Sequence, residues 1–179
     1  MTMTFRRSLM LLTLPLLAGF AACGPSEKPI PPLKVDACTL FTEEDARAVA
    51  GESLAAMAST MDEAQGRDPG QCIYNSGSLE QPRILSLLVR QFPTAGAAKG
   101  VLESGRSTFS SMTGGKVQDV PGLGDGALWV GGRLQQLHVL RGPVQLVITV
   151  QSPDGTDQLK QAREIAEKAL ARLGQVKRS

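Results

Sequence analysis

Residues 127–150 constrain this chain more than any other stretch. Val144, Leu146, Ile148 and Val150 stand on one side of an alternating run, with Gln145, Val147 and Thr149 on the other. Side chains two apart share a face only in an extended strand, so this is a strand signature. Arg141-Gly142-Pro143 supplies a turn, and a strand over 134–140 precedes it. Gly131-Gly132 supplies another turn after the short run Ala127-Leu128-Trp129-Val130. Three strands joined by tight turns form an antiparallel meander. A helix follows it. Leu159, Ala162, Ile165, Ala166, Ala169, Leu170 and Leu173 form one apolar stripe, and Gly174 ends it. Ser152 and Pro153 suit its start, and Glu164 and Lys168 lie four apart in the favourable order.

The earlier part repeats the theme more weakly. Thr42 before Glu43-Glu44-Asp45 predicts a capped helix with acidic residues at its positive end, stopped at Gly51. Residues 52–70 read as a loop. Strands are expected over 71–75 and 83–92, with Ser76-Gly77 in a turn between them. Leu85, Leu87 and Val89 share a face of the second strand. Thr94 then opens a helix whose stripe is Ala98, Val101, Leu102, Gly105 and Phe109, weakened by Gly100 and Gly105. Residues 110–116 read as a break. This order predicts an α+β domain, an antiparallel sheet with helices packed on one face. It occupies 36–174, followed by a polar tail over 175–179.

The first 22 residues belong to a different category. Arg6-Arg7 precede a short apolar run that ends in Ala21-Ala22-Cys23. The run falls short of the roughly 20 apolar residues of a membrane span. A positive start, a short apolar core and small residues mark an export signal. The Cys directly after them gives it the layout of a lipoprotein signal, with Phe20 where Leu is usual. Cys23 is therefore expected to become a lipidated N-terminus, outside the cytoplasm and tethered to a membrane. An ordinary cleaved signal followed by an unrelated Cys is the competing reading. Gly24, by likeness to lipoproteins of two-membrane bacteria, favours the outer membrane; in a single-membrane host the anchor would sit on the outer face. Four prolines within 24–35 make that stretch an extended tether.

Cleavage after residue 22 leaves 157 of the 179 residues and removes two of the 19 basic residues, leaving 17 against 17 acidic ones. A neutral mature chain argues against nucleic acid as partner, since phosphates demand an excess of Lys and Arg. With Cys23 assigned to lipid, Cys38 and Cys72 remain. In an oxidising compartment such a pair reads as one disulfide, with two buried thiols as the alternative. Together with His138, the one histidine, they are too few for a metal site. No cofactor is expected.

Three segments carry a resemblance: Asp36-Ala37-Cys38-Thr39-Leu40-Phe41-Thr42, Cys72-Ile73-Tyr74, and Pro121-Gly122-Leu123-Gly124-Asp125-Gly126-Ala127. Their order and spacing resemble small bacterial lipoproteins of uncharacterised function, best known from actinobacteria. The resemblance spans about residues 36–173. It implies an extracytoplasmic α+β domain with a Cys38–Cys72 disulfide, and no agreed activity.

The candidate sites are few. The glycines at 122, 124 and 126 are spaced like a phosphate loop, but a strand follows them and such a loop must lead into a helix N-terminus. Asp125 is read as capping that turn, with ligand binding as the alternative. Trp129 and Tyr74 are the one Trp and the one Tyr. Either ring could line a groove, although core packing is the simpler role for Trp129. His138 is read as a solvent-facing sheet residue, with no nucleophile elbow to serve. Glu43, Glu44 and Asp45 are helix-capping charges. No catalytic residue is identified. The expected function is a non-catalytic binding or interaction module of the cell envelope, its partner an envelope protein or a small envelope ligand. The alternatives are a sensor or carrier of a small molecule or lipid in a groove beside the sheet and, further off, an envelope hydrolase.

Overall fold

The computed structural model describes residues 31, 33–51, 55–59, 70–75, 83–113, 116–132, 135–151 and 155–176, with 55–59 and 113 described by backbone alone. Cys23, the signal segment, the Ser76-Gly77 turn and the Ser152 cap lie outside the described residues. In chain order the elements are α1 (Ala37–Leu40), α2 (Glu43–Ala50), β1 (Ala55–Ser59), β2 (Gln71–Asn75), β3 (Ile84–Gln91), α3 (Ala95–Thr113), β4 (Val117–Asp119), β5 (Gly126–Val130), β6 (Gln136–Arg141), β7 (Val144–Gln151) and α4 (Leu159–Leu173).

All seven strands form one antiparallel sheet in the order β1-β2-β3-β7-β6-β5-β4. The expected α+β class and the meander are both present. The long ladder between β3 and β7 joins the two halves, from Ile84 opposite Gln151 to Gln91 opposite Val144.

The face carrying Leu85, Leu87, Val89, Trp129, Leu137, Val139, Leu146 and Ile148 is the main core. It is covered by Ala37 and Leu40 of α1, Ala46 of α2, and Ala162, Ile165, Ala166, Ala169 and Leu173 of α4. The Cys38–Cys72 disulfide ties α1 to β2 beneath this layer, with Cα atoms 5.0 Å apart. Closing a loop across 34 residues stabilises the fold by roughly 3–4 kcal/mol in the chain-entropy view.

The expectation that all helices share one face fails for α3. Its Ala98 and Leu102 bury Leu128 and Leu140 on the opposite face, with Phe92, Phe109 and Val117 packed around them. The reason lies in the strands. Leu128, Leu140 and Val147 occupy positions between the main-core residues and are themselves buried. A sheet that is apolar on both faces must be covered on both. Val101, assigned to the apolar stripe of α3, instead points outward and is 44% exposed. The helix also runs to Thr113, through part of the expected break.

Other differences are local. Strand β1 lies in the segment read as a loop, and β4 follows the expected break at 110–116. The packed chain starts before Asp36. Leu33 is buried and Val35 packs on the main core. The Gln91 side chain accepts from the Leu33 N–H and donates to the Pro31 carbonyl at 2.7 Å. Helix α4 begins at Leu159, where Asp157 Oδ1 accepts the Leu159 N–H at 2.9 Å. Lys168 reaches across to Asp45 at 2.9 Å rather than to Glu164, and Arg163 pairs with Glu167 on that helix.

Candidate functional site

The three residues singled out as ligand candidates, Trp129, Tyr74 and Asp125, do not converge. Tyr74 stands on β2, buried against Phe41 with ring centroids 5.2 Å apart and edge to face. Its hydroxyl donates to the Phe41 carbonyl at 2.7 Å. Burial, reinforced by the charges of Glu43, Asp45 and Asp36, pushes its pKa up to about 12. The phenol is a structural post and lines no groove.

Asp125 sits just before β5 and closes turns. Its carboxylate accepts the Gly142 N–H at 2.5 Å, and its own N–H donates to the Leu140 carbonyl at 2.8 Å. The glycine beside it is obligatory. Gly124 has φ +60°, and a Cβ there would lie 2.3 Å from the Leu140 carbonyl oxygen. The glycine loop is thus a device for packing against the β6–β7 hairpin, and β5 follows it directly.

Trp129 lies toward the other end of β5 and is 2% exposed, so core packing is its main role. The edge of its indole nevertheless borders an open groove of about 380 Å³. The walls are Lys116, Val117 and Gln118 of the sheet edge, Gly131 and Gly132 of the turn, Gln135, and Gly155 and Asp157 ahead of α4. The indole Nε1 donates to Asp157 Oδ2 at 3.3 Å. Gln135 is buried and clamps the approach to α4: its Nε2 donates to the Thr156 carbonyl at 2.9 Å and its Oε1 accepts the Gln158 N–H at 2.9 Å. The turn passes close to the indole at Gly131, where a Cβ would sit 3.4 Å from Nε1.

Among the described residues this groove offers one cation, two amides, an indole edge and a carboxylate already engaged by two N–H donors. Those groups suit recognition of a polar ligand. A nucleophile activated by an adjacent base is not among them. Of the wall residues, the sequence reading reached Trp129 and, as a turn, the two glycines. Lys116, Gln135 and Asp157 come from segments that only the sheet order brings together, and no spacing rule links them.

Two further polar clusters sit away from the groove. Asp45 is 5% exposed and fully engaged. It forms a capping box with Thr42 and takes Lys168 and Arg172 of α4. Those cations hold its pKa well below the carboxylate range despite the opposing effect of burial. His138 differs from expectation. It is buried under α3, 6% exposed, with its ring 4.8 Å from that of Phe109. The two faces of the sheet are both covered at this point, which the reading of a solvent-facing histidine did not anticipate.

Among the described residues no helix is long and apolar enough to cross a membrane, and no group of three His, Cys, Asp or Glu is placed to hold a metal ion. No protein-family model matches the chain, and no curated protein matches it.

Proposed function

We propose that this chain is a non-catalytic binding module of the cell envelope, anchored to a membrane through lipid on Cys23, and that it takes a small polar ligand in the groove beside Trp129. The groove carries this reading. Its volume of about 380 Å³ falls in the range of small-molecule sites. Its walls present donors and acceptors on a rigid frame, because Gln135, Thr156 and Gln158 lock one side by hydrogen bonds. The disulfide supports an oxidising compartment, as the export signal requires. The hydrolase alternative gains nothing from the groove, where Asp157 is taken up by the Leu159 N–H and the Trp129 indole.

The test uses the lone Trp as reporter. The full chain is titrated with fractionated small-molecule extracts of the envelope while Trp129 emission is followed. A saturable change that K116A weakens supports the groove. A flat titration, together with one protein captured by cross-linking in native membranes, would replace the small ligand with a protein partner. Labelling with a fatty-acid probe that C23A does not abolish would remove the anchor.

A further inference from the structure

The most unusual feature of the opposite face is a pair of buried polar atoms that nothing satisfies. His138 Nε2 and Gln145 Oε1 have no hydrogen-bond partner among the described residues. The polar contact between the two side chains is a long one, with Gln145 Nε2 3.5 Å from His138 Nδ1. Gln145 is 3% exposed. Buried polar groups are paired in the great majority of cases, so an orphaned pair calls for a physical account.

The cover over this pair is light. Four buried residues, Ala98, Leu102, Leu128 and Leu140, make up the core between α3 and the sheet. The helix sequence AGAAKGVLESGRSTFSSMT contains three glycines and four serines, all poor or neutral helix formers. One polar tie to the sheet is Arg106 to Asp119, at 2.5 Å and exposed to solvent. Elements with few buried contacts occupy the low end of a protein's local stabilities.

We propose that α3 is an acid-released cover: protonation of His138 makes the buried position untenable and frees the helix from the sheet while the main core stays folded. Burial already holds the ring neutral, with a pKa lowered from 6.5 to about 4, and the positive charge of Arg90 adds to that effect. Among the described residues no carboxylate pairs with the ring. Strands β5 and β7, which flank His138, carry no ionisable side chain. The charges of α3 are Lys99, Glu103 and Arg106, and Arg106 is committed to Glu103 and Asp119. Arg141 at the end of β6 faces Asp125. The shift from 6.5 to about 4 raises the open fraction about 20-fold between pH 7 and pH 5.

Hydrogen exchange of the full chain, corrected for intrinsic rates, reads this directly. Peptides from 95–113 should lose about 20-fold in protection from pH 7 to pH 5 relative to peptides from 159–173. H138Q should flatten that response, and D119N, which tests the exposed ion pair instead, should keep it. A loss shared equally by α3 and α4, or one that H138Q leaves intact, overturns the proposal. If H138Q does not fold, the lone histidine still decides by proton NMR of the native chain. A ring titration near pH 4 accompanied by early α3 exchange supports the cover, whereas a titration near 6.5 refutes it.

Discussion

The two faces of the sheet bury polar groups in opposite ways. On the main face Asp45 is buried with every opportunity taken: the Thr42 N–H and hydroxyl, the Lys168 ammonium and the Arg172 guanidinium all reach it. Arg172 also donates to the Leu40 carbonyl at 2.8 Å, so one cluster joins α1, α2 and α4. On the α3 face His138 and Gln145 are equally buried and keep one unsatisfied atom each. Burial alone therefore says little about stability. A satisfied charge fastens elements together, while an unsatisfied neutral group marks where they can part.

The largest test of this contrast is to remove the same kind of apolar mass from each side. Ile148 is fully buried in the main core, and Leu102 belongs to the small cluster under α3. Ile148→Ala should cost about 3–4 kcal/mol and lower the global denaturation midpoint. Leu102→Ala should cost about 2 kcal/mol, read mainly as faster exchange within 95–113. Equal global losses from both would mean that the faces unfold as one unit.

Asp45→Asn comes next. It keeps the shape and part of the cap, but leaves Lys168 and Arg172 without their counter-charge. Both cations are partly exposed, at 41% and 37%, so water screens what remains. The expected loss is about 2 kcal/mol in urea unfolding, against no more than a few tenths for the exposed Glu164→Gln.

Acid should separate the faces without any mutation. The folded-state pKa of His138 is depressed, so its share of stability is present above pH 6.5 and is lost as pH falls from 6.5 toward about 4. Asp45 is depressed below the ordinary carboxylate value of 3.8, so its share is present above 3.8 and is lost only at lower pH. Two windows follow, with α3 responding first and the junction of α2 with α4 last. By pH 5 the effect on α3 amounts to just under 2 kcal/mol by the linkage relation, ~1.8. Circular dichroism in the near ultraviolet, which reports the lone Trp129 on the main face, should stay constant through the first window.

Much of the main face was legible in the residues. Alternation over 144–150, the stripe of α4, the Thr42 cap, Gly51 and the Cys38–Cys72 pair all express local chemistry or a compartment rule. The second face was not, because α3 looks like any weak amphipathic helix until the sheet order puts it over Leu128 and Leu140. His138 was misjudged for the same reason: strand alternation says which side it takes, and only packing says whether that side is wet. Strand β1 is Ala-Ala-Met-Ala-Ser, with no β-branched residue to announce it, and β4 is three residues long. Of the groove, Trp129 and the Gly131-Gly132 turn were legible and the rest was not, since Lys116, Gln135 and Asp157 meet through tertiary structure alone.

The smallest effect is the most discriminating one and has the opposite sign. Gly100 lies in α3, its φ is not left-handed, and a Cβ there would meet nothing within 4 Å. Gly100→Ala should therefore stabilise the helical form of α3 by roughly 0.5–1 kcal/mol, through propensity and a less free unfolded segment. If α3 leaves the sheet by unravelling, its exchange should slow about two- to five-fold at every pH, with the acid response unchanged in slope. If α3 instead swings away as an intact helix, the alanine stabilises the open and closed states alike and the opening does not change. The same substitution thus tells whether the lightly held face fails by loss of the helix or by loss of its contact with the sheet.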